Sequence, residues 1–143
     1  MSAALTTTEL ERSVVADAMH EGILYCTPDT PLSEVAEVMA AKRVHCVVVA
    51  EDGELCASLW GVVSDLDLVA AAAVRDLGEQ LAEGSAASPA LMIAPSETLL
   101  RAAQLMTEHA TAHLIVVEPE TQRPVGVLST LDIAQSLVGP ATI

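Results

Sequence analysis

The chain contains the same ordered pattern of residues twice, and this internal repeat limits the folds that it can adopt. Pro28 aligns with Pro95, 67 positions later. An apolar stripe at positions i, i+3, i+4 and i+7 follows in each copy and predicts an amphipathic helix with one buried face. Thr30 is predicted to cap the first of these helices, with Pro31 at its first position. The stripe consists of Leu32, Val35, Ala36 and Met39 in the first copy and of Leu99, Ala102, Ala103 and Met106 in the second.

A β-branched run follows each predicted helix and indicates a buried strand. These runs are residues 45–49 and 113–117, so they are offset by one position relative to the repeat. Each run leads through a predicted turn, at Asp52-Gly53 and at 121–124, into a second strand, which indicates a hairpin. Each copy then ends on a Ser with an Asp three residues later, which predicts the start of a second helix. These pairs are Ser64 with Asp67 and Ser129 with Asp132.

The order of these elements predicts an α+β fold of two βαββα repeats. Two half-cores of this size cannot stand alone, so we expect the repeats to pack around a pseudo-two-fold axis that creates paired clefts. A leading helix is expected near residues 13–19. The predicted boundaries are an N-terminal extension at 1–12, a first repeat at 13–75, a linker at 76–90, a second repeat at 91–138 and a C-terminal tail at 139–143.

Charge and hydropathy exclude several classes of partner. Six Lys and Arg residues against twenty Asp and Glu residues give a formal charge of −14, which repels phosphate backbones and anionic lipid. The longest apolar stretch, at residues 66–74, is about half of the roughly 20 residues that a membrane span needs. The segment 1–11 lacks the basic start and apolar centre of a secretory signal. We therefore expect a cytoplasmic protein with no nucleic-acid or membrane partner.

The three cysteines are an odd number without a Cys-x-x-Cys motif. Cys26, Cys46 and Cys56 each lie in an apolar, strand-like run, where a thiol behaves as a small hydrophobic group. We expect reduced cysteines in the core.

The ends of the two copies resemble the CBS (cystathionine-β-synthase) family, whose repeats close with Gly, two apolar residues, Ser or Thr, any two residues and Asp. Residues 61–67 and 126–132 both follow this pattern. The Pro-x-x-x-Leu helix opening and the strand that begins with His also match in each copy, so the resemblance covers about residues 14–138. It implies a two-repeat, non-catalytic module that forms a dimeric disk, binds adenosyl ligands in the clefts between repeats and regulates a partner protein.

The resemblance also implies ligand contacts at equivalent positions. The two Asp residues would bind ribose hydroxyls, the two Ser residues and the two His residues a phosphate, and the short first strands would flank the adenine. A structural interpretation stays open for each: a Ser-x-x-Asp is also a capping box, and a strand-end His also bonds to backbone. The predicted ligand-binding residues are Thr27, His45, Ser64 and Asp67 in the first copy and Ala94, His113, Ser129 and Asp132 in the second.

The two sites are not expected to be equal. Thr27 supplies a hydroxyl where Ala94 supplies none, so the second site is predicted to bind more weakly or to stay empty. Lys42 and Arg43 are the nearby cations besides the histidines, and their ordinary role is to complement the dipole of the first helix. So few cations in an acidic protein favour AMP or S-adenosylmethionine over ATP or NAD as the effector.

The recognisable templates for metal binding and catalysis are not present. His109 and His113 have the spacing of a helical metal pair, but His113 begins a strand and no third ligand lies nearby in sequence. No nucleophile elbow, GxGxxG or Walker pattern occurs. We therefore expect no metal, no required cofactor and no catalytic residues. Two alternatives stay open: a structural dimerisation or adaptor protein with empty clefts and, less favoured, a small hydrolase.

The helices that end the two copies predict a homodimer. Ala70–Val74 follow Asp67 as an apolar run, and Ile133, Ala134 and Leu137 occupy the corresponding place in the second copy. A monomer of this size would struggle to cover both surfaces.

Overall fold

The computed structural model describes residues 9–51, 59–87 and 90–138. The predicted turn at Asp52-Gly53 and Cys56 lie outside these ranges. The described elements run in the following order: α1 (Val15–Ala18), β1 (His20–Glu21), β2 (Tyr25–Cys26), α2 (Leu32–Lys42), β3 (Cys46–Ala50), β4 (Leu59–Ser64), α3 (Asp65–Ala72), a 3₁₀ turn (Leu77–Glu79), α4 (Ala82–Ser85), β5 (Met92–Ile93), α5 (Leu99–His109), β6 (His113–Glu118), β7 (Arg123–Ser129) and α6 (Thr130–Leu137).

The fold is α+β, as predicted, and its contacts form two compact units. One unit is Ile23–Leu91, and the other combines Met1–Gly22 with Met92–Ile143. Residues 9–22, which include the start of the predicted first repeat, therefore pack with the second repeat, and the predicted linker at 76–90 packs with the first. The repeats predicted from the sequence are continuous segments of the chain, whereas these units are defined by contacts. The predicted boundaries therefore stay a prediction.

The unit Ile23–Leu91 contains a three-stranded sheet in the order β2-β3-β4. Strand β2 is parallel to β3, and β4 is antiparallel to it. All five residues of β3 are buried, as the β-branched run predicts. The helical stripe of Leu32, Val35 and Met39 packs against Val47 and Val49 of this strand. Burying such side chains contributes about 1.5–3 kcal/mol each.

The other unit contains a four-stranded sheet in the order β1-β7-β6-β5. Strand β5 is parallel to β6, and β7 is antiparallel to both β6 and β1. Leu99, Ala102 and Met106 of α5 are buried, together with Leu114 of β6 and Leu128 of β7. The second copy therefore repeats the helix, strand and hairpin order of the first.

The start of helix α2 differs from the prediction. Pro31 is the N-cap, in an extended conformation, and no side chain caps the helix. The hydroxyl of Thr30 instead accepts a hydrogen bond from the backbone N–H of Thr27 at 3.1 Å. The physical reason is that the helix begins one residue later than predicted, so that its N-cap is Pro31, whose side chain has no hydrogen-bond acceptor. The N–H of Leu32 donates to the carbonyl of Gln80 at 2.8 Å. In the second copy, Thr98 does cap its helix, accepting from the N–H of Arg101 at 3.1 Å.

Residues 13–20 and residues 80–87, the leading segments of the two units, are held by equivalent backbone hydrogen bonds. The N–H of Val15 donates to the carbonyl of Glu97, and the N–H of Ala82 donates to the carbonyl of Thr30, both at 2.8 Å. The leading segments then meet the last strand of each sheet, where His20 pairs with Val127. The matching bridge in the other unit joins Val62 to Ala87. The internal repeat therefore extends over the leading segments, which the sequence comparison did not show.

The glycine of each closing motif lies where the leading segment crosses the strand. A Cβ atom at Gly126 would come within 2.5 Å of the carbonyl oxygen of His20 and 3.0 Å of the sulfur of Met19. A Cβ atom at Gly61 would likewise come within 2.5 Å of the carbonyl oxygen of Ala87. Only glycine lets the two backbones approach this closely.

Among the described residues, no helix has the length and apolar character needed to cross a bilayer.

We predict that Gly126→Ala lowers the free energy of unfolding by about 1–3 kcal/mol, because the new methyl group overlaps a backbone carbonyl that cannot move without breaking the β1–β7 pairing. Urea denaturation followed by circular dichroism measures this change. Gly84→Ala is the matched control, since nothing lies within 4 Å of its Cβ position. Equal stability of the two variants would contradict the crossing geometry.

Candidate functional site

Both Ser-x-x-Asp motifs form complete capping boxes at helix starts. The N–H of Asp67 donates to the hydroxyl oxygen of Ser64 at 3.2 Å, and Oδ2 of Asp67 accepts from the N–H of Ser64 at 2.8 Å. Ser129 and Asp132 repeat these bonds at 3.2 and 2.8 Å. The structural interpretation of these residues is therefore correct, and each N-cap contributes about 1 kcal/mol. Their ligand role stays a prediction.

The capping boxes leave one carboxylate oxygen of each Asp for another partner. In the first copy, the Ser64 hydroxyl also lies 3.0 Å from Oδ2 of Asp67, and Oδ1 has no hydrogen-bond partner within the described ranges. In the second copy, Oδ1 of Asp132 lies 2.6 Å from Nε2 of His20. Asp67 is half-buried, whereas Asp132 is buried. The capping boxes thus orient the two carboxylates alike, but Oδ1 contacts a histidine in the second copy and no described residue in the first.

His45 lies beside the start of helix α3 but is not free to neutralise an anion. Its Nδ1 atom is 3.0 Å from Oδ2 of Asp65, and both side chains are more than half exposed. The His45 carbonyl also accepts from the N–H of Asp65 at 2.9 Å. Asp65, which sequence reasoning did not single out, therefore brings a carboxylate to the helix terminus where a phosphate was predicted. The equivalent position in the second copy is Thr130, which is uncharged.

His113 does not occupy the position equivalent to His45. In the sheets, His113 pairs with Ser129, and Cys46 pairs with Ser64. His113 therefore matches Cys46, one residue after His45. Because successive strand residues point to opposite faces, the two histidines cannot make the same contact with a ligand. The one-position offset between the strand sequences was the signal for this difference.

Thr27 and Ala94 lie at the ends of the short first strands, as predicted. The hydroxyl of Thr27 donates to the carboxylate of Asp29 and lies 3.0 Å from the hydroxyl of Thr30, so it is already used in a local turn. The carbonyl of Ala94 accepts from the N–H of Glu97 at 3.1 Å. Thr27 borders a cavity of about 320 Å³ whose described lining does not include the other predicted site residues. The lining residues are Tyr25, Cys26, Thr27, Thr30, Glu34, Val35, Val38 and Val47.

Burial keeps the described thiols protonated. It raises the pKa of Cys46 to about 12, with a further increase from the Asp65 carboxylate. Burial also raises the pKa of Cys26, Asp29 adds to the effect, and a hydrogen bond with Thr30 opposes it. Both cysteines are free thiols. Within the ranges that the structure describes, no three His, Cys, Asp or Glu side chains come together as a metal site.

The geometry defines a class of protein before any comparison: a pair of α+β repeats, each closing on a glycine, a capping Ser and a carboxylate at a helix start. The CBS domain family model matches residues 15–74 and 84–139. The chain therefore belongs to the CBS domain family, as its closing motifs predicted, and a CBS pair is a regulatory module. No match was found among curated proteins.

Solved structures agree on the fold. The CBS domain of the bacterial CNNM/CorC family Mg²⁺ transporter is 17% identical with a TM-score of 0.80, covering 98% of this chain and 84% of that chain. A CBS-domain-containing protein from Agrobacterium tumefaciens is 22% identical with a TM-score of 0.74, covering 87% and 92%. The CBS domain pair of protein MJ0100, solved with 5′-methylthioadenosine and S-adenosyl-L-methionine, is 16% identical with a TM-score of 0.77, covering 89% and 97%.

We predict that Cys46 is protected from alkylation in the native protein. Raising its pKa from 9.0 to about 12 lowers the thiolate fraction near neutral pH by about a thousandfold, and the thiolate is the reactive form. Iodoacetamide labelling at pH 8, resolved by peptide mass spectrometry, should leave Cys46 unmodified until guanidinium unfolds the chain. Equal labelling rates of Cys46 in native and unfolded protein would contradict this.

Proposed function

We propose that this chain is a non-catalytic regulatory module of the cytoplasm that binds an adenosine-containing small molecule and passes the change to a partner protein. The observation that supports it most directly is the carboxylate of Asp67. One of its oxygens is fixed by the capping box, and the other has no partner among the described residues. A carboxylate oxygen held in this way can accept a hydrogen bond from a ribose hydroxyl.

The surroundings of Asp67 suit such a ligand. The carboxylate is half-buried, so a hydrogen bond to it is less exposed to competition from water than one on an open surface. The cap holds it in the first turn of α3, which begins directly after Ser64, and Ser64 pairs with Cys46 in the sheet. We propose that the ligand binds with its ribose on Asp67 and its adenine near residues 25–27, which belong to the same unit.

Related structures support the ligand class. The MJ0100 pair was solved with two adenosyl compounds, and the CNNM/CorC CBS domain was also solved with ATP. At identities of 16–17% these ligands are evidence for the class and not for one compound.

Electrostatics favours a ligand with little negative charge at the first site. The formal charge of the chain is −14, and Asp65 stands at the first position of α3 with its carboxylate 3.0 Å from the His45 ring. A triphosphate there would add about four negative charges next to that carboxylate. We therefore propose S-adenosylmethionine or AMP over ATP or NAD, with S-adenosylmethionine favoured at Asp67 because its sulfonium is positive.

We also propose a homodimer. Its surface differs from the one expected from the sequence, because one of the predicted residues is buried. Ile133 is buried in its own unit and cannot contribute, because its side chain completes the core beside Asp132. The large exposed apolar side chains of this region are Leu66, Val69 and Val74 in and after α3, and Leu131, Leu137 and Val138 in and after α6. Such faces on short helices are stabilised by a second copy. The 18% identical CBS-CP12 protein of bloom-forming cyanobacteria is hexameric, so oligomers occur on this fold.

The alternative is a dimerisation or adaptor protein that keeps the fold with empty clefts. The completeness of both capping boxes favours it, because the Ser and Asp residues then have a sufficient structural role. Ligand screening distinguishes the two functions.

We predict that S-adenosylmethionine or AMP raises the melting temperature of the chain, since a ligand at a hundredfold excess over its Kd stabilises the folded state by about 2.7 kcal/mol. Asp67→Asn should then weaken binding by about 1.5–3 kcal/mol, the scale of a charged hydrogen bond, in isothermal titration calorimetry. Asp17→Asn is the matched control, because Asp17 is an exposed carboxylate on α1. Unchanged affinity of Asp67→Asn with a lowered melting temperature would leave only the capping role.

We predict a dimer of about twice the 14.8 kDa chain mass in light scattering at micromolar concentration. Val69→Lys should shift the protein towards monomer, because it places a charge on the exposed apolar face of α3. Ala40→Lys adds the same charge at an exposed position of α2 and should leave the dimer intact. A wild-type mass of one chain would contradict the prediction.

A further inference from the structure

The second carboxylate of the pair is covered by a side chain that has no counterpart in the first copy. Oδ2 of Asp132 is held by the capping box, and Oδ1 lies 2.6 Å from Nε2 of His20. The side chain of Asp132 is 2% exposed, whereas that of His20 is 75% exposed. The imidazole is therefore an exposed group placed over an otherwise enclosed carboxylate.

In the first copy, a different residue occupies the backbone position equivalent to His20. His20 pairs with Val127, five residues before Asp132, and Ala87 forms the matching bridge with Val62, five residues before Asp67. Ala87 is exposed and has no polar side chain, and Oδ1 of Asp67 has no partner within the described part of the chain. The residue at this equivalent backbone position is thus His beside the covered carboxylate and Ala beside the uncovered one.

We propose that His20 is an internal competitor for the second adenosyl site: it occupies the oxygen of Asp132 that would accept the ribose, so that ligand binds there only when the imidazole is displaced. This inference rests on the proposed function. It assigns the resting chain one open site, at Asp67, and one closed site, at Asp132.

Displacement is compatible with the fold. The contacts of His20 with the sheet are made by its backbone, which pairs with β7, and its side chain lies mostly in solvent. Rotation of the imidazole away from Asp132 would therefore expose Oδ1 without breaking the β1–β7 pairing. With the imidazole in place, 2% exposure leaves no approach for a ribose hydroxyl.

The test is the number of S-adenosylmethionine and AMP molecules bound per chain, measured by isothermal titration calorimetry on the full chain. Wild type should bind one, and Asp67→Asn should weaken that binding by about 10- to 150-fold. His20→Ala should bind two, and His20→Ala combined with Asp132→Asn should return to one. The reciprocal variant Ala87→His, which keeps His20, should lose the site at Asp67 because it places an imidazole at the equivalent position.

The outcomes separate this inference from the proposed function. Two ligands bound by wild type, or an unchanged stoichiometry in both His20→Ala and Ala87→His, would overturn the competitor role while leaving ligand binding established. A lower melting temperature of His20→Ala with one ligand still bound would assign His20 a structural role only. No binding by wild type or by His20→Ala would overturn the proposed function and the inference with it.

Discussion

The close crossing of a leading segment over a motif glycine is the constraint on which the rest of each unit depends. The carbonyl oxygens of His20 and Ala87 would lie 2.5 Å from a Cβ atom at Gly126 and Gly61, so a side chain there would push the segment off its strand. With the segment in place, each sheet gains an additional backbone partner and the strand continues directly into a capped helix. The crossing also decides which side chain, at position 20 or 87, is near the carboxylate of that helix.

The elements with strong local signals were predictable from the sequence. The helical stripes of Leu32 and Leu99, the buried strands and the Ser caps each follow from side-chain periodicity or from a short-range hydrogen bond. The family resemblance then ordered these elements correctly. In physical terms, these features depend on residues within a few positions of one another, and a single sequence reports such interactions well.

The features that the sequence did not reveal depend on contacts between distant residues. Helix α2 begins one residue later than predicted, with Pro31 as its N-cap, and its first N–H, on Leu32, donates to the distant carbonyl of Gln80. The segments 13–20 and 80–87 share no residue at equivalent positions, since their equivalence is one of backbone hydrogen bonds, and sequence comparison therefore did not align them. His20 was missed for the same reason, because its partner Asp132 is 112 positions away in the chain.

The two candidate sites combine openness and charge in opposite ways, so under the proposed function they would prefer different ligands. At Asp67 the carboxylate is open, but Asp65 adds a negative charge at the helix terminus, an arrangement that favours a neutral or cationic adenosyl compound. At Asp132 the helix begins with the uncharged Thr130, whose terminus suits a phosphate better, but the carboxylate is covered by His20. Under the proposed function, a monophosphate at the second site would displace the imidazole before it contacts the helix terminus. The apparent affinity of that ligand is the intrinsic affinity multiplied by the fraction of chains in which His20 is displaced. If His20 competes with the ligand as proposed, the residue at one backbone position sets the ligand concentration at which a site with an unchanged motif is filled.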